Sequence, residues 1–203
     1  MAKHSYQRKD FYYQKAKKLG LKSRAYFKLE DLNKKFRLLK PGIHVVDLGC
    51  APGGWLQFIA QEIGPQGAIV GVDIEKMNSA LPKNATFIQG DIQNESTANQ
   101  LLAGLGRRVD LLVSDLAPHL SGIKFQDQYR SYELAKQAFK LCHFVLREQG
   151  DFVAKIFPGE ELEQFKTELK KAFLNVQLFI PPSTRKSSSE VYIVAKGFRN
   201  NQK

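Results

Sequence analysis

The chain of 203 residues has only two cysteines, Cys50 and Cys142. That is too few for a disulfide framework or a zinc ribbon; it points to a reducing compartment and implies no metal site. No run of about 18 apolar residues is present, so no membrane span is expected. The N-terminus MAKHSYQRKDFYYQKAKK has neither a signal-peptide apolar core nor a small-residue cleavage site, so the expected location is the cytoplasm. The chain also lacks a Gly-Lys-Ser/Thr run, and Gly49 is followed by a glycine only at Gly53, which disfavours both a P-loop ATPase and a G-x-G-x-x-G dehydrogenase. What remains is ordinary: 43% apolar and 25% charged residues exclude wholesale disorder, and the length fits one domain.

Acidic residues are in deficit, 20 against 31 Lys plus Arg, for a net charge of +11. The deficit is local. Residues 1–40 hold 13 bases and 3 acids, whereas the other 163 residues hold 18 and 17. Tyr6, Phe11, Tyr12, Tyr13, Tyr26, Phe27 and Phe36 are interleaved with those bases. Cations neutralise phosphates and aromatic rings stack on unpaired bases, so RNA is the expected partner. The competing reading is a solvated basic arm. We read 1–40 as a basic helical segment of the same domain, and 41–203 as its core.

Periodicity defines that core. Ser23 is expected to cap a helix running to about Arg37, with Phe27, Leu29, Leu32 and Phe36 near one face and Pro41-Gly42 closing it. Short strands apolar on both faces are expected at Ile43–Asp47, Ala68–Asp73, Ala85–Gln89, Val109–Asp115 and Asp151–Phe157. The clearest helices are Gly54–Ile63, Tyr129–Leu146 and Gly159–Phe173. Alternation of this kind gives a parallel sheet covered by helices. A terminal hairpin, Val176–Ile180 and Glu190–Lys196, adds one antiparallel strand.

Charged residues gather at the strand ends: Asp47, Asp73, Asp91, Asp115 and Lys155. Ligands of an open parallel sheet bind outside its carboxyl ends, so these mark a candidate site. The loop Gly49-Cys50-Ala51-Pro52-Gly53-Gly54-Trp55 lets backbone approach a ligand after the first strand. Asp73, 26 residues beyond Asp47, can accept hydrogen bonds from both hydroxyls of a ribose. A ribose site without a phosphate cradle suits S-adenosylmethionine (SAM). Asp91 is then expected near the adenine, and Asp47 is expected to orient either the loop or the amino-acid end of the cofactor.

The segments SRAYFKL, VVDLGCAPGGW, GVD, QGD, VSDLAPHLSG, FVAKIF and SSSEVYIVA together resemble the FtsJ-like RNA ribose 2′-O-methyltransferases, from about Ser23 to Gly197. The resemblance implies a Rossmann-like α/β fold: a mostly parallel seven-stranded sheet with helices on both faces and an antiparallel last strand. It implies SAM as cofactor, with Asp47, Gly49, Gly53, Trp55, Asp73, Asp91 and Asp115 at its site, and a catalytic tetrad of Lys28, Asp115, Lys155 and Glu190. The implied substrate is a uridine of large-subunit ribosomal RNA, free or in the assembled subunit, and the implied state is a monomer. Cys50, His119 and Pro158 depart from the family pattern, and none is a tetrad position.

Transfer of a sulfonium methyl to a 2′-hydroxyl requires in-line positioning and removal of the hydroxyl proton. Lys155 is the expected base, with Lys28 supplying a second cation and holding phosphate or developing oxyanion. Asp115 and Glu190 are expected to orient the lysine and the hydroxyl. Two alternatives stand: methylation of transfer RNA, and a catalytically silent RNA-binding assembly factor. A small-molecule methyltransferase is disfavoured by short loops and the basic arm.

Overall fold

The computed structural model describes residues 10–199. Its elements run α1 (Phe11–Lys18), α2 (Ala25–Phe36), β1 (His44–Leu48), α3 (Gly54–Ile63), β2 (Ala68–Asp73), β3 (Ala85–Gln89), α4 (Glu95–Leu105), β4 (Val109–Ser114), α5 (Lys124–Val145), β5 (Leu146–Ile156), α6 (Leu162–Ala172), β6 (Phe173–Phe179) and β7 (Val191–Phe198). The seven strands form one sheet in the order β3-β2-β1-β4-β5-β7-β6. The first five pair in parallel, and β7 lies antiparallel to both β5 and β6.

Strand periodicity of two sorts the core onto two faces. Val46, Leu48, Leu112, Phe152, Ala154, Ile193 and Ala195 pack with residues of α4, α5 and α6. Their neighbours Val45, Leu111, Val113, Val153, Tyr192 and Val194 pack with α2 and α3. By the same alternation Asp47, Asp115, Lys155 and Glu190 fall on the α2/α3 side, the side that carries Lys28.

Several boundaries differ from the sequence reading: α6 starts at Leu162 rather than Gly159, β6 at Phe173 rather than Val176, and β7 runs on to Phe198. The helix expected from Tyr129 starts at Lys124, where Asp127 accepts hydrogen bonds from Ser121 N, Ser121 Oγ and Gly122 N and so fixes the entering turn. The strand expected from Asp151 starts at Leu146, because the backbone becomes extended as soon as α5 ends. The side chain of Ser23 makes no cap to α2, whose first turn is instead closed by a backbone bond from Tyr26 N to Ser23 O, 3.3 Å. Lys3, Lys9 and Tyr6 of the basic segment lie outside the described residues.

Candidate active site

Each strand that carries a candidate residue ends at the same rim, and α2 is brought over that rim by close packing on α3. A side chain at Gly54 would collide with Ser23 Oγ, so glycine there lets the start of α2 rest on the first turn of α3. The far end of α2 is tied down by a T-shaped contact between Phe36 and Phe179 and by Lys196 Nζ donating to Phe36 O, 2.9 Å. Trp55, buried in α3, donates its indole N–H to Ala25 O at 2.8 Å and lies 5.9 Å, centroid to centroid, from the Tyr192 ring. It therefore links α2, α3 and β7.

The four tetrad positions converge. Lys28 Nζ stands 2.6 Å from Glu190 Oε1, and Lys155 Nζ stands 3.0 Å from Asp115 Oδ1 and donates to Asp115 O at 2.6 Å. Both ion pairs are largely buried; the Lys155 side chain is 7% exposed. Tyr192, opposite Lys155 in the β5–β7 register, donates its hydroxyl to Asp115 Oδ1 at 2.7 Å and lies with its ring 5.9 Å from Lys28 Nζ. Burial opposes charge on Asp115, but Lys155, Lys28 and the Tyr192 hydroxyl together hold its carboxyl below the ordinary range, so it is ionised at neutral pH. Burial, then the Asp115 and Glu190 charges, push the Tyr192 phenol well above its ordinary value, which keeps it a donor.

Asp47 sits beside this cluster and has the opposite character. It is fully buried, neither carboxylate oxygen has a hydrogen-bond partner among the described residues, and burial followed by the charges of Asp115 and Asp73 pushes its pKa well above the usual carboxylate range. Buried polar groups are rarely left unpaired, so a missing donor or cation is indicated at this point. Gly49, next along the chain but one, has φ of 78°, and a Cβ there would come within 3.0 Å of Leu116 N. Glycine thus permits the β1 loop to press against the segment following Asp115.

On the other side of the rim is a cavity of about 500 Å³ lined by Val72, Asp73, Gly90, Asp91, Ile92 and Leu116 among others, with Tyr129 and Arg130 of α5. Asp73 is pre-set by accepting from Ala51 N and Glu75 N, each at 2.8 Å, and Asp91 by accepting from Gln93 N at 2.9 Å. Asp47, Gly49, Gly53 and Trp55 do not line this cavity. Gly53, with φ of 105°, caps α3 and faces Ser79 and Met77 in a smaller hollow of about 220 Å³. These residues fit SAM: an apolar cavity with two carboxylates for an adenosine, and an orphaned buried carboxylate in need of a cation for the amino-acid end. The sequence reading did not anticipate Tyr192, although its place two residues after Glu190 on one strand face carried the signal. It also missed the apolar walls Ile92, Leu116 and Tyr129, which come from two separate connections and from α5.

Comparison with known proteins identifies the family. The family model described as FtsJ-like methyltransferase matches residues 21–198. A ribosomal RNA large subunit methyltransferase E of Methanosphaera stadtmanae is 40% identical over 100% of this chain and 98% of its own length. The protein of the same name from Halorubrum lacusprofundi is 42% identical over 93% of this chain and 71% of its own. A crystal structure described as a ribosomal RNA methyltransferase from Plasmodium falciparum superposes with a TM-score of 0.77 at 29% identity, covering 87% of this chain and 98% of that one.

Proposed function

Since the chain belongs to the FtsJ-like methyltransferase family, whose cofactor is SAM, we propose that it methylates a ribose 2′-hydroxyl of large-subunit ribosomal RNA, at a uridine. When bound, SAM supplies an electrophilic methyl group on a sulfonium. The observation that carries the proposal is the buried cluster in which Lys155 and Tyr192 share one oxygen of Asp115 while Lys28 is paired with Glu190 alongside.

Asp115, ionised and held from two sides, fixes Lys155 Nζ through both its carboxylate and its carbonyl. Lys155 Nζ takes the 2′-hydroxyl proton as the hydroxyl oxygen attacks. Lys28, held by Glu190, offers its cation to the adjoining phosphate or to the developing oxyanion. Asp73 and Asp91 bind the adenosine, and Asp47 receives the positively charged amino-acid end. In this reading the exposed lysines of α1, Lys15, Lys17 and Lys18, neutralise RNA phosphates, and the protein acts as a cytoplasmic monomer on the RNA or the assembled subunit.

Mass-spectrometric mapping of ribose methylation in ribosomal and transfer RNA, with and without the protein, tests this. Loss of one 2′-O-methyluridine from large-subunit RNA is the expected result. Loss confined to transfer RNA, or to a base-methylated nucleotide, overturns it.

A further inference from the structure

The connection that leaves the tetrad at Asp115 and enters α5 exposes four large side chains within ten residues. Leu120 and Phe125 are each 69% exposed, and Ile123 and Tyr129 are about half exposed. Single apolar residues on a surface need no explanation, but a local group of them marks an interaction site. Phe125 and Tyr129 stand four residues apart in α5, so their rings share one helix face.

The segment that presents them is braced. Asp127 accepts from Ser121 N, Ser121 Oγ and Gly122 N, and Gly122 takes φ of 82° to make the turn. Behind it Gln128 Nε2 donates to Pro158 O, and Phe157 N donates to Ser131 Oγ at 3.0 Å, which ties α5 to the segment after Lys155. A ligand meeting these side chains therefore has little ordering of the protein to offset. The charge of the segment is also one-sided. From Leu116 to Tyr132 the sole acid is Asp127, which is buried and used within the turn, whereas Lys124 and Arg130 are exposed.

We propose, on the reading that RNA is the substrate, that this turn is a stacking platform for an unpaired base beside the target nucleotide. Phe125 carries the base, Leu120 and Ile123 border it, and Lys124 and Arg130 meet the flanking phosphates. Exposed rings among cations, with no exposed acid, are what a single strand requires, because every base has a π-face and every linkage a negative charge. The one-sided charge favours this polyanion over an apolar protein surface. The position fits as well. Helix α2, with Lys28, covers one face of the sheet and α5 the other, and the tetrad lies at the rim between them. A strand with its ribose at Lys155 therefore has its neighbouring nucleotide on the α5 side over the turn. Tyr129 also lines the adenosine cavity, so the platform adjoins the methyl donor.

The test compares binding of a short oligoadenylate with that of an abasic ribose-phosphate strand of the same length, by fluorescence anisotropy over a salt series. The parent is expected to bind the oligoadenylate more tightly. Phe125→Ala should weaken oligoadenylate binding by roughly five- to a hundredfold, the loss of one stacked base, and leave abasic binding and the salt slope unchanged. Phe125→Leu, which keeps an apolar side chain without a ring, should behave like the alanine variant, and Phe125→Trp should bind as tightly as the parent. Lys124→Gln should instead make the log-log salt slope shallower by about 0.7 on either strand. Phe144→Ala, exposed at the far end of α5, should match the parent throughout. Parental oligoadenylate affinity in Phe125→Ala or Phe125→Leu overturns the proposal and leaves the surface to a protein partner. A parent that binds both strands alike, or an equal loss on both strands in Phe125→Ala, overturns it too. If Phe125→Ala melts lower than the parent, Phe125→Leu is read by the same criteria. Methyl transfer is not read here, so failure of the proposed reaction would show only in the mass-spectrometric map.

Discussion

Lys155 and Tyr192 face each other across the antiparallel β5–β7 pair, and both reach the same oxygen of Asp115, at 3.0 and 2.7 Å. One carboxylate oxygen thus sets the position of the amine and of the phenol. This arrangement decides what each substitution should do.

Lys155→Ala should abolish methyl transfer while SAM and RNA still bind, because in the proposed mechanism the amine accepts a proton and holds neither ligand. General-base removal costs roughly 10² to 10⁴-fold, and single-turnover transfer of labelled methyl measures it. Lys155→Arg should not rescue the rate, since a guanidinium restores the charge without a proton acceptor. Parental single-turnover rates in either variant would make Lys155 structural.

Tyr192→Phe keeps the ring against Trp55 and removes only the hydroxyl bond to Asp115. A hydrogen bond to a charged group contributes about 1.5–3 kcal/mol, so a drop of roughly ten- to a hundredfold in the chemical step is expected, with KM for RNA unchanged. An altered KM with an intact rate would place the tyrosine in substrate binding instead.

Asp73→Ala should weaken SAM binding by at least about tenfold, the loss of one hydrogen bond to a charged acceptor, and leave RNA affinity nearly unchanged. Calorimetric titration with SAM decides this. Undiminished affinity in a folded variant would move the adenosine out of the cavity.

Asp47 predicts a pH signature. Its folded pKa is raised above the unfolded value of 3.8, so the folded state binds a proton that the unfolded state has released. The associated stability is fully present below pH 3.8 and is lost as pH rises through the folded pKa. Thermal melting of the SAM-free protein from acid towards neutral pH should therefore carry a falling contribution that Asp47→Asn lacks. Saturating SAM should remove much of it by supplying a cation. An identical pH profile for parent and variant would contradict the orphaned state of this carboxylate.

The strand pattern was legible because Ile69–Val72, Leu111–Val113 and Phe152–Ala154 are apolar on both faces, as only a strand covered from both sides needs to be. The convergence of Lys28, Asp115, Lys155 and Glu190 was expected only through family resemblance, since no spacing joins positions 28, 115, 155 and 190. The entry to α5 was not legible, because nothing in the sequence ties Ser121 and Gly122 to Asp127, the carboxylate that organises them and that the reading left outside the helix. The cavity was only half legible. Its carboxylates announce themselves at strand ends, whereas Ile92 and Leu116 look like any other apolar residue until their two connections are folded together.

The position of β7 between β5 and β6 has a consequence for how the protein comes into being. The residues assigned to the cofactor, Asp47, Asp73 and Asp91, belong to the half of the sheet built from contiguous crossovers. The proposed tetrad lies in the half that β7 completes. Because β6 pairs only with β7, it has no place in the sheet until the strand that follows it has been made and threaded in beside β5. Glu190 and Tyr192 arrive with that insertion, a closure between distant parts of the chain of the kind that slows folding. A folding intermediate with the first five strands assembled would hold Asp47, Asp73, Asp91, Asp115 and Lys155 and lack Glu190 and Tyr192.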